Sequence, residues 1–363
     1  MQDEDYMGIA LELAKNALGR TSPNPLVGAV VVRDGRIVAS GWHRKAGTPH
    51  AEIHALRMAG ELAEDATLYV TLEPCAHYGR TGPCAKAVIE AGIRRVVIAM
   101  GDPNPLVAGK GIAMLREAGL DVSCGILEAE ARKLNEVFLK WISTGLPFVT
   151  MKTAMSLDGK IATVTGKSQW ITNQASRRRV HEWRDIHDGI LVGIQTVLAD
   201  DPSLTTRLPE GRGKNPVRIV LDSRARTPLS ARLLTDGQAK TFIAVTAKAP
   251  EANTQRLREA GAQVLVAGDG DRVDLRELLR QLGEMEICSL FVEGGSAVNF
   301  SFLQAGLVDR VHAFIAPKLL GGREALTPVG GVGFAELSDA VVLEDVEVEN
   351  LAGDVLISGC VRK

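Results

Sequence analysis

Apolar and polar positions along this chain change period again and again, and each change marks an element. Apolar residues from Tyr6 to Leu18 recur at helical spacing. Residues 27–32 are a short apolar run, and 36–42 read as its hairpin partner across Asp34-Gly35. The pattern then predicts a helix over 50–59, a buried strand over 66–72, and a helix over 83–91 that opens on proline and stops at Gly92. A strand over 95–100, a helix over 111–118, a strand over 120–124 and one long helix over 128–143 follow. Such alternation predicts a three-layer α/β/α sandwich whose first two strands are antiparallel.

The helical pattern stops at Thr144-Gly145-Leu146-Pro147, and a second α/β pattern begins at Phe148. It predicts strands over 148–153, 189–193, 217–221, 241–246, 263–266, 289–292, 311–315 and 354–361. Helices are predicted over 175–183, 252–260, 275–282 and 297–305. The expected domains are therefore 1–145 and 146–363, and a length of 363 residues suits two cores. Composition is that of a globular chain, 45% hydrophobic and 24% charged. A net charge of −2 provides no overall field for gathering nucleic acid or an anionic membrane, so neither partner is expected. The acidic start, the lack of a long apolar run and five scattered cysteines (75, 84, 124, 288 and 360) point to the cytoplasm.

Three short pieces carry chemistry: His50-Ala51-Glu52, Pro74-Cys75 and Pro83-Cys84. One imidazole and two thiolates give Zn2+ three protein ligands and leave a fourth position for water. Glu52, two residues beyond the histidine at a helix start, is placed to take a proton from that water and return it to a leaving nitrogen. The arrangement follows the H-x-E and P-C pattern of zinc deaminases. Two other readings stand beside it. Cys75 and Cys84 as inert buried thiols is one, and a two-histidine site using His54, one turn beyond His50, is the other.

The second cysteine follows the first by nine positions, with His77-Tyr78-Gly79-Arg80-Thr81-Gly82 inserted, which departs from the general spacing. With Thr21-Ser22-Pro23-Asn24-Pro25, Gly41-Trp42-His43, the stretch from Thr71 to Cys84 and Gly101-Asp102-Pro103-Asn104-Pro105, the first domain resembles the deaminase half of the bifunctional deaminase/reductase family of riboflavin biosynthesis. That resemblance implies a cytidine-deaminase-like α/β/α sandwich. It also implies a pocket lined by Asn24, His43, Glu73, His77, Asp102 and Asn104. Arg80 is a candidate for a ribose phosphate. Turn chemistry beside proline is the plainer explanation of Asn24 and Asp102.

No G-x-G-x-x-G follows a predicted strand in the second domain. Leu290-Phe291-Val292-Glu293-Gly294-Gly295-Ser296-Ala297 instead reads as a buried strand, a Gly-Gly turn and a helix start, which is either a cradle of backbone N–H groups for a diphosphate or simply a tight strand–helix turn. The stretches 151–160, 188–193, 200–207 and 221–223 resemble the reductase half of the same family, which implies a dihydrofolate-reductase-like α/β domain using NADPH. By that resemblance Ala154, Trp170, Thr196, Asp200, Ser223, Gly295, Ser296, Ala297, Val298, Asn299, Phe300 and Ser301 contact the coenzyme. Ser168, Arg184, Leu204, Arg207 and Glu293 contact a phosphoribosyl substrate. Ser223, with Arg224 nearby, is the candidate for the 2′-phosphate. Lys152, Asp200 and Glu293 are the ionisable groups available to assist ribose ring opening and protonation at C1′, with strand-end ion pairs as the plainer reading.

The implied function is zinc-dependent hydrolytic deamination of 2,5-diamino-6-(5-phosphoribosylamino)pyrimidin-4-one. NADPH-dependent reduction to 5-amino-6-(5-phosphoribitylamino)uracil follows. The expected partner is this small molecule, and association into a homo-oligomer is left open. A nucleoside deaminase carrying an unrelated second domain, or a nucleic-acid-editing deaminase, are the rivals.

Overall fold

A computed structural model describes residues 1–76, 82–104, 108–209, 211 and 213–362. The chain divides into two compact units, Met1–Gly145 and Leu146–Lys363.

The first unit runs α1 (Asp3–Lys15), β1 (Gly28–Arg33), β2 (Arg36–Trp42), α2 (Ala51–Ala59), β3 (Thr67–Leu72), α3 (Cys84–Glu90), β4 (Arg95–Met100), α4 (Lys110–Glu117), β5 (Asp121–Cys124), α5 (Glu128–Leu134) and α6 (Glu136–Thr144). Among the described residues its strands form one sheet in the order β2-β1-β3-β4-β5. β1 is antiparallel to both β2 and β3, whereas β3, β4 and β5 are parallel. The β1–β2 turn places Asp34 and Gly35 both at positive φ, the geometry a two-residue hairpin requires. α1 and α5 pack on one face, and α2 and α3 continue into α4 on the other. Val96 through Met100 are fully buried because β4 is covered on both sides. Glycines allow the closest approaches: a Cβ on Gly28 would lie 1.9 Å from the Ala10 carbonyl oxygen, and one on Gly41 2.7 Å from Ala51 and Ala55 backbone.

The long helix expected over 128–143 is two helices. Asn135 leaves the helical region at φ −105°, ψ 18°. Its buried amide accepts from Leu26 N–H at 2.8 Å and donates to Leu26 C=O at 3.0 Å. A tertiary tie to the segment before β1 therefore outcompetes helical continuity.

The second unit continues with β6 (Phe148–Ser156), α7 (Gln174–Ile186), β7 (Gly189–Gly193), α8 (Ile194–Asp200), β8 (Val217–Leu221), α9 (Arg232–Thr235), β9 (Thr241–Val245), α10 (Glu251–Glu259), β10 (Gln263–Val266), α11 (Leu275–Glu284), β11 (Ser289–Val292), α12 (Ser296–Gln304), β12 (Arg310–Ala316), β13 (Leu343–Leu351) and β14 (Asp354–Val361). The described residues give one sheet in the order β10-β9-β8-β7-β11-β6-β12-β14-β13. It is parallel from β10 to β12, and β14 and β13 add on as an antiparallel hairpin. Side chains alternate between two apolar layers. Leu191, Ile219, Phe242 and Leu290 pack with α11 and α12, while Ile190, Val192, Val220, Ile243 and Phe291 pack with α7, α8 and α10. β13, α8 and the single-turn α9 were not foreseen from the pattern. β13 is exposed along nearly its whole length and carries acidic residues through its middle, so it lacks the buried alternation that marks a strand.

Candidate active sites

β3 runs into Glu73-Pro74-Cys75, and its carboxyl end faces the starts of α2 and α3. His50 is the N-cap of α2 and Cys84 the first residue of α3. The His50 Nδ1 lies 3.2 Å from Cys84 Sγ and 3.7 Å from Cys75 Sγ. All three ligand atoms fall within 4.8 Å of one another, and this is the metal-ligating cluster found among the described residues. His54 is outside it. The Cys84 N–H, at the start of α3, donates to Cys75 Sγ at 3.4 Å, which favours the thiolate. A hydrogen bond from Cys84 draws the Cys75 thiol down to about 4, with His50 assisting, while Cys84 retains the shared proton and is pushed up.

Glu52 is buried in the first turn of α2, and one of its carboxylate oxygens has no protein partner. Burial raises its pKa, against the pull of His50. A buried carboxyl with an open oxygen beside one nitrogen and two sulfurs fits Zn2+ with a reactive water, and does not fit an inert thiol pair.

Asn24 and His43 stand together. His43 Nδ1 donates to the Pro49 carbonyl at 3.1 Å, so its Nε2 accepts from Asn24 Nδ2 at 3.1 Å. This sets the imidazole tautomer and orients the Asn24 amide; burial keeps His43 below its ordinary pKa. Asp102 Oδ1 accepts from Asn104 N–H at 2.9 Å, which is turn chemistry at the end of β4. Glu73 requires a correction. Its oxygens accept from the backbone N–H groups of Asp102, Gly109, Gly111 and Ile112 at 2.9–3.2 Å, and the side chain is 3% exposed. It organises the loop around Asp102 and does not offer a carboxylate to a ligand. His77 and Arg80 lie outside the described residues.

In the second unit Glu293 follows β11 and meets Arg184 of α7 through two hydrogen bonds, of 2.5 and 2.9 Å, while Arg184 Nη1 donates to the Thr205 carbonyl at 3.0 Å. Burial alone would raise the Glu293 carboxyl, but Arg184, with Lys152 adding, holds it at about 2. Lys152 on β6 is depressed by burial and supported by Glu293. Asp200 is set apart from this pair. It is exposed at the far end of α8, where partial burial raises its carboxyl, whereas Lys152 and Glu293 each feel the other's charge. Burial first, then the charge of Arg184, lowers Arg207, and Leu204 is buried at positive φ. Ser168 is half-buried in the segment before α7. Pattern reading missed His181, one turn before Arg184 on the same face of α7; only that i, i+3 spacing signals it.

The Gly294-Gly295 turn leads into α12, whose first-turn N–H groups no helical carbonyl can serve. Thr196 Oγ1 borders Gly295, and Asn299 is buried with its amide donating to Pro328 and its carbonyl oxygen without a partner. These features fit a dinucleotide diphosphate. The run 295–301 does not act uniformly, however. Val298 packs against Gly193, Phe300 against Phe334, and Ser301 donates to the Ala297 carbonyl, because the helix turns those side chains away from its N-terminus. Ala154 lies on β6, and Trp170 is exposed with the Arg177 guanidinium 4.6 Å from its ring centre. Ser223 Oγ accepts from Val273 N–H, and Arg224 pairs with Asp271 at 3.2 Å.

Residues 147–357 match the model of the RibD C-terminal domain, and residues 1–100 match the cytidine and deoxycytidylate deaminase zinc-binding region. The riboflavin biosynthesis protein RibD of Bacillus amyloliquefaciens is 48% identical over 98% of this chain and 95% of its own. That of Escherichia coli is 44% identical over 98% and 99%. This chain belongs to the RibD family. It is thus a riboflavin-biosynthesis enzyme with a zinc-dependent deaminase and an NADPH-dependent reductase activity, built from a cytidine-deaminase-like and a dihydrofolate-reductase-like unit. Among solved structures, RibD of Acinetobacter baumannii superposes with a TM-score of 0.90 at 41% identity over 99% of both chains. The diaminohydroxyphosphoribosylaminopyrimidine deaminase/5-amino-6-(5-phosphoribosylamino)uracil reductase of Thermotoga maritima gives 0.88 at 39% over the same shares. No helix among the described residues is long and apolar enough to cross a membrane.

Proposed function

We propose that residues 1–145 deaminate 2,5-diamino-6-(5-phosphoribosylamino)pyrimidin-4-one, and that residues 146–363 reduce the deaminated product to 5-amino-6-(5-phosphoribitylamino)uracil. The observation that carries the first half is the open oxygen of buried Glu52 beside His50, Cys75 and Cys84. Zn2+ held by these three residues supplies a Lewis acid and a water of lowered pKa. As the water oxygen bonds to C2, Glu52 would take its two protons in turn, giving one to the adjacent ring nitrogen and one to the 2-amino nitrogen, so that the C2–amino bond breaks, ammonia leaves and C2 becomes a carbonyl. Its raised pKa suits both halves of that transfer. Asn24, oriented by His43, presents amide hydrogen-bonding groups to the pyrimidine edge.

NADPH, bound by the first turn of α12 and by Thr196, supplies the hydride for the second reaction. Arg184 and Arg207 hold the substrate phosphate, and Glu293 fixes the Arg184 guanidinium. Reduction places hydride on C1′ and requires a proton on the ribose ring oxygen as its bond to C1′ breaks. Protonation therefore belongs to that oxygen, not to C1′. Of Lys152 and Glu293, Lys152 Nζ is the one with a proton to give, because Glu293 is paired with Arg184 and held ionised. Free cysteines throughout suit the cytoplasm as the setting.

Incubation of the purified protein with the diaminopyrimidine substrate tests this division. Ammonia should appear without NADPH, and the ribityl product only with it. Coenzyme oxidation before any deamination would overturn the order.

A further inference from the structure

Residues 204–207 form a short segment held from two sides. Thr206 N–H donates to Asn215 Oδ1 at 2.9 Å and its hydroxyl to the Lys214 carbonyl at 2.7 Å. On the other side stands α7, where Arg184 grips the Thr205 carbonyl and the Arg207 N–H donates to His181 Nδ1 at 3.3 Å. A ring nitrogen that accepts from a backbone N–H carries no proton, so the contact requires neutral His181. Burial, then the charges of Arg184 and Arg207, draw the imidazole down to about 4, with Glu293 and Thr205 opposing. It is neutral throughout the working range. His181 and Arg184, three residues apart, thus grip the main chain of one segment at two points.

We propose that His181 is a positioning residue for substrate binding: its Nδ1 holds the Arg207 main chain and so sets the Arg207 guanidinium beside Arg184 for the substrate phosphate. This rests on the reading of Arg207 as a phosphate ligand. Without the acceptor, the Arg207 N–H loses its partner and the guanidinium swings with its backbone, so affinity for the phosphate falls while coenzyme and proton donor remain in place.

The test uses the full-length zinc enzyme with 5-amino-6-(5-phosphoribosylamino)uracil and with its dephosphorylated counterpart. His181→Ala should raise KM for the phosphorylated substrate about tenfold, with kcat within about twofold of the parent. KM for the dephosphorylated substrate and the Kd for NADPH should not move. His181→Asn places an oxygen where Nδ1 stands and should restore KM; His181→Gln, whose oxygen lies one bond further out, should resemble His181→Ala. If the alanine variant misfolds, the Asn and Gln pair carries the comparison. Equal losses on both substrates, or a loss in kcat alone, would overturn positioning in favour of a purely structural role. Arg207→Ala separates the two layers. A selective KM rise there with none in His181→Ala overturns the proposal alone, and no rise in Arg207→Ala overturns the phosphate reading with it.

Discussion

Glu52 and Glu73 are buried to the same extent, each 3% exposed, and what differs is the company their oxygens keep. Four backbone N–H groups occupy Glu73, while Glu52 keeps one oxygen open. Glu52→Gln should therefore retain zinc yet lose deamination by at least about a hundredfold, because an amide keeps the shape and cannot shuttle a proton. Normal deamination by that variant removes Glu52 from the mechanism. Cys84→Ser should lose most of the zinc measured by elemental analysis, since a hydroxyl is a poor substitute for thiolate on this metal. A third residue reports on pH. His312 is stacked on Trp183 at 4.0 Å, and burial first, then Arg310, draws it down to about 3 from 6.5. The unfolded chain takes up that proton below about 6.5 and the folded unit only near 3, so stability is full above 6.5 and falls as pH drops through this window. His312→Gln should flatten the fall of Tm between pH 7 and 4; an unchanged slope assigns the acid sensitivity elsewhere.

At the scale of elements, two of the misreadings, the single helix over 128–143 and the missed β13, have one cause. The amphipathic pattern over 128–143 is real in both α5 and α6, but Asn135 answers to Leu26, more than a hundred residues away. Asn135→Ala removes both bonds from a buried position and should cost about 1–3 kcal/mol in urea unfolding of the full chain. A neutral result would mean that the helix break does not depend on them. β13 is held by its backbone ladder to β14 and by pairs such as Glu349 with Arg179, so no apolar alternation was there to read. Conversely β2, β4, β7, β8, β10, β11 and β14 matched the ranges expected, because turn residues and buried runs bound each of them locally.

For the whole molecule, the second unit has two apolar layers of its own, and residues 146–363 expressed alone should fold and oxidise NADPH with the deaminated substrate, without zinc. A zinc chelator should abolish ammonia release by the full chain and leave that reduction unchanged. A folded fragment that binds no NADPH would defeat the division of labour. The meeting of His50, Cys75 and Cys84, the buried place of Glu52, the strand–turn–helix at Gly294 and a division into two compact units could all be read from the amino-acid sequence, because spacing along the chain and local turn chemistry signal them. The four backbone N–H groups around Glu73, the exposure of Asp200 and the bond from Arg207 N–H to His181 were decided by tertiary structure alone. Each depends on which backbone groups a distant loop or helix brings to a side chain, and hydrogen-bond partners of that kind leave no periodic trace along the chain.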